Sequence, residues 1–200
     1  MHFEPVLIKN IFSIEDRNKL IEVLKTSTPN KNWLDPDKNR EVKKYTELET
    51  YFSKKLEPLA RQIFKDSSLK TSYSVYLNYN KPTSSLPPHK DNNACTYTID
   101  YCVSQKTPWP LIIEGKEFQI PENAGLAFMG GHDMHSRGDM PSPDTNVVET
   151  IMFHFCPEDH WYFTEGPEYG YYLLDNNLLE NSESYYLSPK KKPKGDRLYL

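Results

Sequence analysis

From Leu69 onward the chain alternates: Tyr73, Val75, Leu77 and Tyr79 are interleaved with Ser74, Tyr76 and Asn78. Successive side chains of a strand point to opposite faces, so this pattern describes a strand with one face buried. Short strand-like runs recur over residues 96–103, 111–114, 117–120, 126–129 and 146–155. Turn residues separate them, among them Pro108-Trp109-Pro110 and Pro121-Glu122-Asn123-Ala124-Gly125. Many short strands at such spacing form a sandwich or a barrel, so the second half of the chain is constrained to a mainly β core.

The first part reads as support for that core. Residues 5–12 are apolar and β-prone, and Ser13 then opens Ser-Ile-Glu-Asp, a capping-box-like start with Asp16 in place of the usual Glu or Gln. A helix is expected to follow, with Ile14, Leu20, Ile21 and Leu24 on its apolar face and an end at Thr26 to Pro29. Residues 30–44 are polar, contain Pro36 and read as a mobile loop that covers an active site. A second helix is expected over 46–65, where Leu48, Tyr51, Phe52, Leu56, Leu59 and Ile63 recur at helical spacing and Pro58 is the kink point. Residues 80–88 form a Pro/Ser loop. After residue 157 the chain is aromatic-rich (Trp161, Tyr162, Phe163, Tyr169, Tyr171, Tyr172), which reads either as rings wrapped onto the core or as a substrate lid.

Directly after the 80–88 loop, His89 and Asp91 stand two apart. In a strand they share a face, where an imidazole and a carboxylate can hold a divalent metal from one side. The third ligand has to come from farther along, and His135 lies in the Gly-rich GGHDMHSRGD, with His132 and His154 as competitors. Two histidines and one carboxylate with open positions opposite are the donor set of non-haem Fe(II) oxygenases.

The segments HKDNNACTYT, Trp-Pro-Leu at 109–111 and His-Ser-Arg-Gly at 135–138 resemble, in that order, the Fe(II)/2-oxoglutarate-dependent dioxygenases, specifically the branch similar to prolyl hydroxylases. The resemblance covers residues 70–156 and is similar in extent to one small barrel domain. It implies a mainly β (α+β) fold: a double-stranded β-helix (jelly-roll, cupin-like) core at 69–156. Helical support at 1–68 and an aromatic wrap with a basic tail at 157–200 complete a single domain. It implies Fe(II) on His89, Asp91 and His135, with 2-oxoglutarate and O2 as co-substrates. His132 then falls in the loop entering the distal strand, and His154 is a structural histidine. The implied reaction is hydroxylation of an unactivated carbon in a small substrate such as an amino acid or metabolite, with succinate and CO2 released. Related halogenases have a small residue at the carboxylate position, so Asp91 points to hydroxylation or desaturation.

The departure from the family pattern concerns the co-substrate. Relatives bind its distal carboxylate with Arg or Lys on the last core strand, but no Lys or Arg occurs here between Arg137 and Lys190. Arg137 is the candidate clamp, because it shares strand parity with His135 and its planar fork suits a carboxylate. Lys81, Lys90, Lys106 and Lys116 are the alternatives. Tyr79 lies ten residues before His89, where prolyl hydroxylases similarly place a tyrosine on that carboxylate. Thr96 and Thr98 are expected to line the pocket. Because the strand cation is missing, two other readings stay open: a non-catalytic metal- or ligand-binding β-helix protein, and an iron oxidase that does not use 2-oxoglutarate.

Composition narrows the partners. The net charge of −4 offers no footprint for nucleic acid, and the basic cluster at 190–197 reads as a solvated end. No apolar run approaches the roughly 18 residues of a membrane span, and the N-terminus lacks a leader-like apolar region. A cytoplasmic protein acting on a small molecule is expected. Its three cysteines, Cys95, Cys102 and Cys156, form no CxxC pair and suggest neither a disulfide framework nor a zinc knuckle. Reduced thiols suit a compartment in which iron stays ferrous.

Overall fold

The structure, a computed structural model, describes residues 3–166. The expectations for Tyr169, Tyr171, Tyr172 and the basic cluster at 190–197 lie outside the described residues. Two antiparallel sheets carry the fold. Strands β1 (Val6–Ile8), β2 (Lys31–Asp35), β3 (Arg40–Lys44), β4 (Leu69–Tyr79), β6 (Tyr97–Gln105), β9 (Gly125–Phe128) and β11 (Val148–Pro157) form the larger one, in the order β1-β9-β6-β11-β4-β3-β2. Strands β5 (Leu86–His89), β7 (Leu111–Ile113), β8 (Lys116–Phe118) and β10 (His135–Arg137) form the smaller, in the order β5-β10-β7-β8. From β4 to β11 the chain passes between the sheets as a double-stranded β-helix, the expected fold.

Strand alternation sorts the core. On β6 and β11, Ile99, Tyr101, Ile151, Phe153 and Phe155 face outward against the helices α1 (Ile14–Thr26) and α2 (Lys54–Phe64), meeting Phe12, Leu20, Phe52, Leu56 and Ala60. The opposite parity faces the other sheet, where Cys102, Leu111, Ile113, Leu126 and Phe128 pack together. Full burial of each large apolar side chain contributes about 1.5–3 kcal/mol, so helices and smaller sheet hold the larger sheet from both sides.

Helix α1 starts as its cap predicts: the Ser13 hydroxyl accepts from the Asp16 N–H at 3.1 Å and donates to the Asp16 carboxylate at 2.7 Å. Its buried residues are Asp16, Leu20 and Val23, while Ile14 is exposed, so the stripe is shifted from the one expected. The second helix is not continuous. A π-helical turn, Leu48–Ser53, precedes α2, and Pro58 lies inside α2. Proline removes an N–H and crowds the carbonyl four residues earlier, here that of Lys54, which is where the wide turn gives way to regular helix.

Residues 30–44, expected as a mobile loop, are a β-hairpin that extends the larger sheet: β2 pairs with β3, and β3 pairs with β4 through Glu41–Asn78, Val42–Leu77 and Lys43–Tyr76. Neither hairpin face shows apolar alternation, because one faces water and the other a cavity lined by both charged and apolar side chains. Its connection includes Pro36 and Asn39, the latter at φ 45°, a left-handed conformation that asparagine tolerates. The expected 80–88 loop is likewise shorter, since β5 begins at Leu86. Cys95, Cys102 and Cys156 are free and buried, and no helix among the described residues is long and apolar enough to cross a membrane.

Candidate metal centre and its cavity

The two neighbouring strands β5 and β10 bring the distant histidines together: His135 stands directly across from His89 in register. Asp91, just past β5, is fixed by its backbone N–H, which donates to the Gly130 carbonyl at 2.9 Å. Nε2 of His135 lies 3.5 Å and Nε2 of His89 3.8 Å from Oδ1 of Asp91, and one donor atom from each of the three residues falls within 4.8 Å of the others. Both Nδ1 atoms face backbone carbonyls, that of His89 on Pro87 at 2.8 Å and that of His135 on Asp133 at 3.0 Å. Each ring therefore donates from Nδ1 and turns Nε2 toward the carboxylate, the orientation a metal-binding imidazole needs.

Electrostatics agree with that donor set. Burial works against a charge on Asp91, yet contact with His135, with His154 and His89 adding to it, holds its carboxyl well below the usual range. Burial, then the neighbouring His135, holds the His89 pKa down, so this ring is neutral near pH 7. For His135 burial also opposes protonation, but Asp91 outweighs it and raises the pKa. A second grouping, Asp91, Cys95 and His154, lies behind the first. There Nδ1 of His154 is 3.0 Å from the Thr98 hydroxyl, and burial lowers its pKa to about 4, as expected for a satisfied core histidine. His132 is half exposed beside Asp133, outside the triad.

The triad opens into a cavity of about 650 Å³, within the size range of small-molecule sites. Tyr79 and Arg137 both border it. Arg137 is buried, with one terminal nitrogen on Asp100 at 2.9 Å, the other on the Trp109 carbonyl, and the guanidinium 5.4 Å from the Trp109 ring centre. Burial raises the Asp100 pKa even with that cation beside it. Thr96 and Thr98, expected to line the pocket, do not border it: Thr98 is buried against His154, and Thr96 precedes β6 in a helical conformation. Trp161 and Tyr162, from the short helix α3 (Trp161–Thr164), do border it, and Trp161 is also buried against Ala94.

Sequence reasoning missed Arg40 and Lys38. Arg40 reaches in from β3, donating from Nε to Asp35 at 3.1 Å and from one terminal nitrogen to the Tyr79 hydroxyl. Tyr79 in turn meets Trp109 edge-on at 5.2 Å. Lys38, at the hairpin tip, borders the cavity and feels the charge of Asp91. The signal for Arg40 is parity with Val42 and Lys44 within a hairpin, which the polar composition of 30–44 hides; Lys38 lies in the turn and has no such signal. Asp100 could have been found, since Thr98, Asp100 and Cys102 alternate along one strand face.

No protein-family model matches the sequence, and no curated protein does. Solved structures share the fold at low identity. A 2OG-Fe(II) oxygenase family oxidoreductase from Burkholderia pseudomallei aligns at TM-score 0.59 and 10% identity over 76% of this chain and 84% of its own. HygX from Streptomyces hygroscopicus, solved with nickel and 2-oxoglutarate, aligns at 0.55 and 9% over 78% and 84%. SnoN, a non-haem α-ketoglutarate-dependent epimerase from nogalamycin biosynthesis, aligns at 0.54 and 11% over 76% and 76%.

Proposed function

We propose that the protein is an Fe(II)- and 2-oxoglutarate-dependent oxygenase that hydroxylates an unactivated carbon of a small molecule. The observation that carries this reading is the convergence of His89, Asp91 and His135 at the wall of a cavity, on and just past adjacent strands of a double-stranded β-helix. The fold is shared with oxygenases solved with metal and 2-oxoglutarate, which supports the same co-substrates here. The ten-residue step from Tyr79 to His89 supports the prolyl-hydroxylase-like branch, with 69–156 as the core of one oxygenase domain.

His89, Asp91 and His135 would hold the metal. Ferrous iron bound there supplies the chemistry that couples oxidation of 2-oxoglutarate to succinate and CO2 with oxidation of a C–H bond. The chain's own task is to bind, orient and exclude water. Asp91 remains an anion and His89 a neutral ligand at pH 7. Val75, Leu77, Leu86, Leu111 and Met152 give the cavity apolar walls that keep bulk water from the reacting centre.

For the distal carboxylate of 2-oxoglutarate the sequence nominates Tyr79 and Arg137, and the geometry favours Arg40 beside Tyr79. Both terminal nitrogens of Arg137 are committed, whereas Arg40 uses one terminal nitrogen on Tyr79 and has the other available among the described residues. Titrating the anaerobic Fe(II) protein with 2-oxoglutarate and following the metal-to-ligand charge-transfer band tests this. Breaking a buried charge pair costs roughly 3–5 kcal/mol, so Arg40→Ala should weaken binding about 100- to 4000-fold. Arg137→Ala should instead lower stability by a similar energy, because it strands buried Asp100. The opposite pattern would return the clamp to Arg137. Wild-type protein that binds iron but shows no band and forms no succinate would favour a binding protein or an iron oxidase that needs no 2-oxoglutarate.

A further inference from the structure

The hairpin β2–β3 presents one complete face to the cavity. Three cross-strand pairs, Lys31–Lys44, Trp33–Val42 and Asp35–Arg40, all line it, while the intervening Asn32, Leu34, Glu41 and Lys43 do not. The pairs differ in charge logic. Asp35 and Arg40 are opposite charges in contact, the stabilising arrangement for directly facing strand residues. Lys31 and Lys44 are like charges directly facing each other, the destabilising arrangement.

No carboxylate within the described residues offsets that repulsion at ion-pair distance. Neither Lys31 nor Lys44 makes an ion pair there; Glu49 acts on Lys44 only from beyond ion-pair distance. On the water-facing side of the same hairpin, Lys43 does pair with Glu41 at 3.4 Å. Lys44 is only partly exposed and lies over the Tyr73 ring, 4.6 Å from its centre, so the charge is held over an aromatic surface and does not trail into solvent. Trp33, the next cavity-facing position on β2, is 43% exposed, a large apolar surface beside two cations. Lys31 is exposed and Lys44 half-buried, so within a chain of net charge −4 this is a local concentration of positive charge at the rim of a concave site.

We propose that this face is the substrate-selecting subsite. Lys31 and Lys44 bind an anionic group, carboxylate or phosphate, and Trp33 and Tyr73 bind the flat or apolar part attached to it. The inference rests on the oxygenase reading for the word substrate, since it names the class of molecule offered to the metal centre. The subsite itself rests on the hairpin and on Tyr73 of the adjoining β4, whichever reaction the metal centre performs. Arg40 and Lys38, nearer the tip, remain for the dicarboxylate co-substrate, so the hairpin serves two anions with separate cations.

The test uses ring-matched probes: phenyl phosphate and benzoate as the two anions, benzamide as the neutral form and benzylammonium as the cation. Each is titrated into the Ni(II)-loaded full chain with saturating 2-oxoglutarate and again without it, following quenching of tryptophan fluorescence and, independently, calorimetric heat. The expected order is anions first, then benzamide, then benzylammonium. The anion preference should shrink as salt rises and fall about two- to fivefold in Lys44→Gln or Lys31→Gln. Whichever of phenyl phosphate and benzoate binds more tightly identifies the anion. Trp33→Ala should weaken all aromatic probes alike.

A variant that binds less because it misfolds is separated by its melting temperature. Lys44→Gln relieves the repulsion and should melt no lower than wild type without probe. Lys31→Glu should pair with Lys44 and remove the anion preference. Equal binding of benzamide and phenyl phosphate by wild type overturns the proposal, as does a preference that survives both lysine substitutions. Competition between the anionic probes and 2-oxoglutarate also overturns it, because the two sites would be one. If 2-oxoglutarate fails to bind while the lysine-dependent preference persists, the oxygenase reading falls and the anion subsite stands.

Discussion

Gly130 shows how tightly single residues define the candidate centre. A Cβ built there would overlap the Asp91 carboxylate and the Thr98 hydroxyl, and it would press on the Cys95 carbonyl at 3.1 Å. The same glycine's carbonyl accepts the Asp91 N–H, so the position holds Asp91 by its backbone and leaves room for it by having no side chain. Gly130→Ala should therefore displace Asp91 without altering any donor. Metal affinity, measured by calorimetric titration with Ni(II) or Mn(II), is expected to fall at least about tenfold. Wild-type affinity in that variant would mean the carboxylate moves freely or is not a ligand. His132→Ala, by contrast, should bind metal as wild type does, because that ring is half exposed and outside the triad.

Among the elements, α1 carries a pH-dependent contribution. Asp16 caps α1 through Ser13 and also receives Lys55 at 2.5 Å and the Tyr51 hydroxyl at 3.0 Å, joining α1 to the second helical segment. The Lys55 hydrogen bond, then that of Ser13, lowers its pKa below the usual carboxylate value, with burial opposing. A depressed folded-state pKa means stability that is present above the unfolded value near 4 and is lost as pH falls through the folded one. Asp16→Asn should lower the melting temperature at pH 7 by about 2–4 °C, for a cap-sized loss of about 1 kcal/mol, and the gap should close as pH falls below about 4. A gap that persists at low pH would mean that the charge is not what matters. This element was legible because capping chemistry is local, and β4, β6 and β11 were legible because each has a buried face of regular parity. The hairpin β2–β3 was not. It buries one strongly apolar residue, Val42, and its other inward positions are polar or charged because they face a cavity. The candidate triad left a signal in the sequence and Arg40 did not: His89 and Asp91 are neighbours in sequence, whereas Arg40 meets Tyr79 only after β3 has joined β4.

At the scale of the described residues the fold is two sheets of unequal size, and the proposed metal would tie them together. His89 and His135 belong to the smaller sheet, while Asp91 is anchored to Gly130, in the loop leaving β9 of the larger one. The smaller sheet is the weaker partner: β7, β8 and β10 have three residues each, and helices α1 and α2 brace only the larger sheet. An ion that binds the folded but not the unfolded chain stabilises it by mass action, by about 2.7 kcal/mol at a hundred times its dissociation constant. For a chain of this size each kcal/mol is worth about 2–4 °C, so saturating Fe(II) under argon, or Ni(II) in air, should raise the melting temperature by about 5–11 °C. EDTA should reverse the shift, and His135→Ala should abolish it. Hydrogen exchange should locate the added protection on β5 and β10 and leave α1 unchanged, because only the two short strands carry ligands without a helix behind them. A shift that survives His135→Ala, or protection spread evenly over the helices, would place the ion elsewhere and remove the basis for the oxygenase reading.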